Sequence, residues 1–315
     1  MKLAGLVSLV GLLLAAAPFL GAAEKTHSLA YKGLERTLRV FVPDGPPAPA
    51  GVTAASRPVV LALHGGASDG LTMSRFCGLD EKAARAGFIV VYPDGTGWLP
   101  RVLTWNSGAC CGYAQAQGTD DVGFLREVVA FVVKTYGGDP ARVYATGMSN
   151  GAMMAYRMAV EAPDLIAAVA AVSGTLEVDP ALVRTPKPVL HFHGTADEFV
   201  PWNGGRGPKT STVGPHRSVA ETIATWVRVD GANPEPVSTV LPDKAMDGTE
   251  VIKHVYAART NGFEVVLYEI KGGGHAWPGR VRSEQLLGKT TMNIDADDIL
   301  WEFFSRHTLR KGREP

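Results

Sequence analysis

The chain has 315 residues, 46% of them hydrophobic, which is enough to bury a full core within the size range of a single α/β domain. Lys plus Arg and Asp plus Glu both number 31, so no charge excess points to nucleic acid or an anionic surface as a partner. Cys77, Cys110 and Cys111 lack a second Cys pair, and no histidines or carboxylates cluster around them, so no metal is expected.

The N-terminus, MKLAGLVSLVGLLLAAAPFLGAAEKT, has one Lys, an apolar run broken by Pro18, and small residues at Gly21 and Ala23. That pattern predicts a secretory signal over residues 1–23, cleaved after Ala23, with a membrane anchor as the alternative. The mature part, 24–315, is then a secreted (periplasmic or extracellular) single domain with no membrane attachment. Export places the cysteines in an oxidising compartment. We expect a disulfide between Cys77 and either Cys110 or Cys111; a bridge between the adjacent pair is the alternative.

HSLAYKGLERTLRVFVP reads as an opening hairpin, with Arg36 to Val42 as its second strand. VVLALH and FIVVYP are nearly continuous apolar runs, as central parallel strands buried on both faces require. LDEKAARAG between them is a crossover helix ending at Gly87, and Asp121 is expected to cap the next helix. The strand RVYATG, a helix stopped by Pro163, and the strands LIAAVAAVSG and PVLHFHG follow. SVAETIATWVRVDG opens with Ser218 and Glu221, a capping box. VIKHVY and FEVVLYEI are late strands, and DADDILWEFFSRH is a closing helix whose carboxylates suit its N-terminus better than a metal. Alternating strands and helices predict a mostly parallel sheet covered on both faces. Ligands on such sheets bind beyond the carboxyl ends of the strands.

Three candidates for chemistry fall at those ends. Ser149 stands between Gly147 and Gly151 where a strand turns into a helix, the G-x-S-x-G pattern of a nucleophile elbow. Asp197 follows PVLHFHG, where it could equally be a turn residue bonding its own backbone. His275 follows FEVVLYEI and a run of glycines. The order Ser, Asp, His, each directly after a strand, suits nucleophile, orienting acid and base. Gly65 and Gly66 follow VVLALH, where an amide can approach a substrate without a Cβ in the way. His191 and His193 alternate along a strand and are read as packed or hydrogen-bonded. Arg206, Lys209, His216 and Arg217, in the glycine-rich loop after Asp197, are read as solvated charges rather than contacts to an anionic substrate.

The segments LALHGGASDG, FIVVYPDG, WNSGACCG, TDDVGFL, RVYATGMSNGAMMAYRMA, HFHGTADEFVPWNGG and GGGHAWPG span most of the mature chain. Through them the chain resembles the polyhydroxybutyrate depolymerase-like and feruloyl esterase-like α/β-hydrolases, related to carbohydrate esterase family 1. The resemblance implies Ser149 as nucleophile, His275 as base, Asp197 as acid, and Gly66 and Asn150 as oxyanion donors. It further implies that Trp105 and Trp277 look into the substrate cleft. The expected activity is metal-free and cofactor-free hydrolysis of a small or oligomeric ester. Feruloyl or acetyl esters of plant polysaccharide are the first candidates and 3-hydroxybutyrate esters the second. A non-catalytic binding protein or a peptidase on the same fold is the further alternative. Oligomeric state is not legible in these residues.

Overall fold

In the computed structural model, which describes residues 24–44, 56–210, 214–259, 263–281 and 284–309, the apolar runs become the strands of one large sheet. The signal expected over residues 1–23 lies outside the described residues. The opening hairpin pairs β1 (Glu24–Tyr31) with β2 (Leu34–Phe41). After β3 (Arg57–Leu63), the helices α1 (Gly70–Phe76) and α2 (Leu79–Ala86) lead to β4 (Ile89–Pro93). Helix α2 stops where Gly87 turns left-handed and donates back to Ala83. A small hairpin of β5 (Thr96–Leu99) and β6 (Val102–Thr104) precedes the short α3 (Gly112–Ala116) and the long α4 (Asp121–Tyr136). Then come β7 (Gly138–Met148), α5 (Asn150–Glu161), β8 (Ala168–Val172), β9 (Val189–Gly194) and α6 (Val219–Val229). The expected capping box of Ser218 and Glu221 opens α6. The chain continues through β10 (Val237–Val240), β11 (Glu250–Tyr256), β12 (Val265–Lys271), α7 (Glu284–Leu287) and α8 (Ala296–Phe304).

The sheet has ten strands in the order β1-β2-β4-β3-β7-β8-β9-β12-β11-β10. From β4 to β12 neighbouring strands run parallel, and antiparallel pairs finish both ends. From β3 the chain passes to β4 on one side, whereas β7 lies on the other side and passes on to β8. The loops leaving β3 and β7 therefore diverge, which opens a crevice between their carboxyl ends. The fold is the α/β-hydrolase arrangement the sequence predicts.

Alternation along β7 divides the core. Val143 and Ala145 pack with α4, α5 and α6, around Phe124, Tyr156 and Trp226. Tyr144 and Met148 pack on the opposite face with α1, α2 and α8, around Phe88, Trp277 and Phe304. Each side chain points away from its neighbour because strand periodicity is two.

Two local expectations need correction. Asp120, not Asp121, caps α4, accepting from the amide of Gly123. Asp121 is fully buried and lies 2.7 Å from the Arg36 guanidinium, while its other oxygen accepts from the amide of Asn106. The contact with Arg36 is a close ion pair without hydrogen-bond alignment. Cys77 bonds neither Cys110 nor Cys111. It is a free thiol in the α1–α2 core, its sulfur directed at the carbonyl of Met73 and the hydroxyl of Tyr92. Burial pushes its ionisation up, away from reactivity. The vicinal cysteines are joined to each other across a cis peptide, and they belong to a separate cluster with Met153 and Val200.

The Arg36–Asp121 pair links β2 to α4 and, through Asn106, to the loop after β6. Removing one member strands the other charge in the interior. Asp121→Ala is therefore expected to cost about 3–5 kcal/mol of unfolding free energy. Urea denaturation checks this; a loss within the range of ordinary surface substitutions would contradict it.

Candidate active site

Ser149 sits at the end of β7 with φ 56° and ψ −123°, left-handed backbone that a non-glycine residue seldom adopts. Its amide donates to the carbonyl of Val172, fixing the bend. The flanking glycines are required by space. A Cβ on Gly151 would collide with the carbonyl oxygens of Leu63 and His64, and one on Gly147 with the backbone of Gly151 and Leu63. Helix α5 thus starts directly over the end of β3. The loop leaving β3 runs beside the elbow, with Gly65 facing Ser149 and Gly66 facing Asn150. Among the described residues, no hydrogen bond takes up the amides of Gly66 and Asn150.

His64 holds that loop in place. Its Nδ1–H donates to the carbonyl of Gly65 at 2.7 Å, and its Nε2 accepts from the amide of Gly95 at 2.9 Å. The two bonds specify the neutral tautomer, and burial pushes the pKa down to about 4.

Asp197 lies just past β9. Its Oδ1 accepts from the amides of Phe199 and Val200, and its Oδ2 accepts from His275 Nδ1 at 2.7 Å. Both readings of this residue therefore hold: it is a turn aspartate and the partner of His275. Burial alone would raise its pKa, but the His275 and His193 imidazoles and the amides outweigh burial and keep the carboxyl below its usual range.

His193 stands 3.5 Å from Asp197 Oδ2 and donates Nε2–H to the carbonyl of Val200. Its Nδ1 must then accept from His191 Nε2–H, whose own Nδ1 accepts from the Tyr156 hydroxyl. Burial lowers the pKa of both histidines, so a neutral chain of imidazoles backs the carboxylate.

His275 arrives from β12 through Gly272, Gly273 and Gly274. Side chains on these residues or their neighbours would not fit: a Cβ on Gly194 would strike the carbonyl of Gly273, and one on Gly274 the carbonyl of Leu287. The imidazole stacks on Phe199 with ring centroids 4.7 Å apart.

Ser149 and His275 line one cleft of about 560 Å³. No hydrogen bond joins Ser149 Oγ to His275; such bonds are often long before substrate is bound. The cleft walls are mainly apolar, formed by Met73, Phe76, Met148, Met153, Phe199 and Leu286. Leu286 and Leu287 belong to α7, an element whose short sequence gave no periodic signal.

The tryptophans are not part of this lining. Trp105 is fully buried, and its indole N–H donates to the carbonyl of His64. Its backbone N–H and C=O bond the side-chain amide of Asn150, which also donates to Ser107. Trp277 is equally buried, donating to Asp297 at the start of α8. Both tie loops to the core through these bonds, and neither lines the cleft. Asp295 caps α8, and no cluster among the described residues could hold a metal ion. Of the charges in the loop after Asp197, Lys209 pairs with Glu198 as solvated loop residues do. His216 does not: it is buried on the cleft wall beside Glu177.

A family model described as Esterase PHB depolymerase matches residues 46–182. "Putative esterase NocK" of Nocardia uniformis subsp. tsuyamanensis is 34% identical over 302 residues, covering 91% of this chain and 84% of that protein. The chain belongs to the esterase/PHB depolymerase family of α/β-hydrolases. As a member it is a carboxylic ester hydrolase. Feruloyl esterase B of Piromyces equi is 31% identical over 206 residues, covering 62% of this chain but only 35% of its own length. An acetylxylan esterase of Coprinopsis cinerea is 28% identical over 248 residues, covering 70% of this chain and 62% of its own. Among solved structures, the acetyl xylan esterase from Aspergillus awamori superposes with a TM-score of 0.60 at 17% identity, over 89% of this chain and 99% of that one. An S-formylglutathione hydrolase from Agrobacterium tumefaciens gives 0.52 at 15% identity, over 90% and 95%. These two likenesses concern the fold.

The depressed pKa of His64 sets a pH dependence. Between about 4 and the unfolded value near ~6.5, the unfolded chain binds a proton that the folded chain refuses, so stability falls as pH is lowered through that window. From pH 7 to pH 5 the His64 contribution is about 2 kcal/mol. Urea titrations at the two pH values measure the total, and His64→Asn should flatten the difference; an unchanged pH slope in that variant would contradict the assignment.

Proposed function

We propose that the family's ester hydrolysis runs here through Ser149, His275 and Asp197. The observation that carries this is the 2.7 Å bond from His275 Nδ1 to the buried Asp197, with His275 and the elbow serine on the walls of one cleft. Ser149 Oγ attacks the ester carbonyl as His275 Nε2 takes its proton. Asp197 fixes the imidazole tautomer and stabilises the imidazolium. The amides of Gly66 and Asn150 receive the negative charge of the tetrahedral intermediate, which such donors stabilise by a few kcal/mol (about 3 each). The intermediate collapses to an acyl-enzyme, and the alcohol leaves with the proton from His275. Water, activated by the same imidazole, then releases the acid and restores Ser149. Every group in this cycle is the protein's own or water.

The substrate class we infer is a feruloyl-type or related soluble ester, for which a mainly apolar cleft of this volume suits an aromatic acyl group better than a bare acetyl. The names of the Piromyces and Coprinopsis relatives keep both polysaccharide esters in view, and the family description keeps 3-hydroxybutyrate esters as the alternative. A purely binding role fits poorly with a complete set of nucleophile, base and orienting acid. We further infer export, from the signal pattern at residues 1–23; no described helix is long and apolar enough to cross a membrane.

Ser149→Ala should lower p-nitrophenyl ester hydrolysis by about 10⁴-fold or more with an unchanged circular dichroism spectrum. Activity near that of the unaltered protein would overturn the assignment. Comparing kcat/KM on methyl ferulate, acetylated xylan and a 3-hydroxybutyrate oligomer ranks the substrate classes, and the reading fails if the acetyl ester is preferred.

A further inference from the structure

One wall of the cleft carries a histidine, His216, that is paired with a carboxylate outside the lining and that the reaction above does not use. His216 Nδ1 lies 3.1 Å from Glu177 Oε1, and the two side chains are 2% and 3% exposed. Thr175 donates its hydroxyl to the same carboxylate oxygen at 2.8 Å. Both residues are held from behind. The carbonyl of Glu177 accepts from Ala109, and His216 exchanges both backbone bonds with Gly205. His216 nevertheless lines the cleft with Ser149 and His275.

A carboxylate that binds Nδ1 fixes the ring and leaves Nε2 as its outward polar atom. Among the described residues, His216 Nε2 has no hydrogen-bond partner. Several other polar side chains on the wall are engaged elsewhere, while the Ser68 and Thr72 hydroxyls also line it. Asn150 bonds the Trp105 backbone, Thr104 accepts from Ala114, and Thr210 donates to Phe199. Against mainly apolar walls, Nε2 is one of few directional contacts, and apolar pockets take their specificity from such sparse polar groups.

We propose that His216, positioned by Glu177, is a specificity-determining contact that hydrogen-bonds a hydroxyl group carried by the ester substrate. A hydroxyl suits either protonation state of the ring, because it donates to a bare Nε2 and accepts from Nε2–H. The inference rests on the cleft being the site of ester hydrolysis. The hydroxyl belongs either to the acyl group or to the alcohol.

The test is a set of matched esters with and without the hydroxyl. Methyl 4-hydroxycinnamate against methyl cinnamate, and methyl 3-hydroxybutyrate against methyl butyrate, probe the acyl side. 2-Hydroxyethyl butyrate against ethyl butyrate probes the alcohol side. The purified protein should favour the hydroxylated member of at least one pair by about tenfold in kcat/KM, the worth of one good hydrogen bond. His216→Phe should bring that ratio close to one, whatever happens to the absolute rates, and His216→Gln should keep part of it. If His216→Phe does not fold by circular dichroism, Glu177→Gln, which keeps the ring but loosens its orientation, should lower the same ratio. A merely structural pair would lower both members equally and leave the ratio unchanged; that result overturns the proposal, as does an absence of preference in all three pairs. Failure of the hydrolytic reading looks different: the unaltered protein would cleave none of the esters, or Ser149→Ala would cleave them undiminished.

Discussion

The end of β3 lies directly under the first turn of α5, and the rest of the site depends on that close approach. The carbonyls of Leu63 and His64 occupy the space where a Cβ on Gly151 would stand. Because the two backbones meet there, the loop leaving β3 runs alongside the elbow, and Gly66 and Asn150 line the same cleft as Ser149. The strained backbone of Ser149 persists because several contacts over-determine it: the amide bond to Val172, the packing at Gly147 and Gly151, and the side chain of Asn150.

Asn150 extends that constraint outward. Its amide closes a two-way bond with the Trp105 backbone, and the next residue, Asn106, donates to the buried Asp121. Asp121 faces Arg36, which also bonds the carbonyl of Asp94 and lies 3.7 Å from the centre of the Phe124 ring. A polar chain thus runs from the opening hairpin through α4 to the nucleophile turn. Buried polar chains are costly when partly satisfied and rigid when nearly complete. The cost in this chain falls on Arg36, with two nitrogens left without aligned partners.

Much of this was legible in the sequence because it depends on local pattern. Val-rich runs marked the parallel strands, and three chemically apt residues each followed one of them. The chain order was therefore enough to bring Ser149, Asp197 and His275 to one end of the sheet. What remained hidden depends on partners distant in sequence. Trp277 points into the core because Asp297 receives its N–H, and Trp105 because His64 does. Cys77 is drawn under α1 by Met73 and Tyr92, away from the cysteines it was expected to join. His216 looked like a loop charge since Glu177, the residue that buries it, belongs to the turn after β8. The hairpin of β5 and β6 and the short α7 are too brief for periodicity to reveal; their places are set by contacts such as Ser68 with Leu103 and His275 with Leu287.

The two histidine–carboxylate pairs share a geometry but differ in how firmly the acid is held. Asp197 has a short side chain, two backbone amides on one oxygen, and His193 near the other. Such a carboxylate has little freedom, as a proton transfer repeated at fixed geometry demands. Glu177 carries one more methylene, and its only other side-chain partner among the described residues is the Thr175 hydroxyl, a rotor. That arrangement holds the acid through fewer partners than hold Asp197. A contact to a substrate hydroxyl must tolerate small differences in where the hydroxyl lies, whereas a base acting on a fixed nucleophile, as proposed for His275, must not. The firmer pair suits the proposed chemistry, and the less firmly held one the proposed recognition.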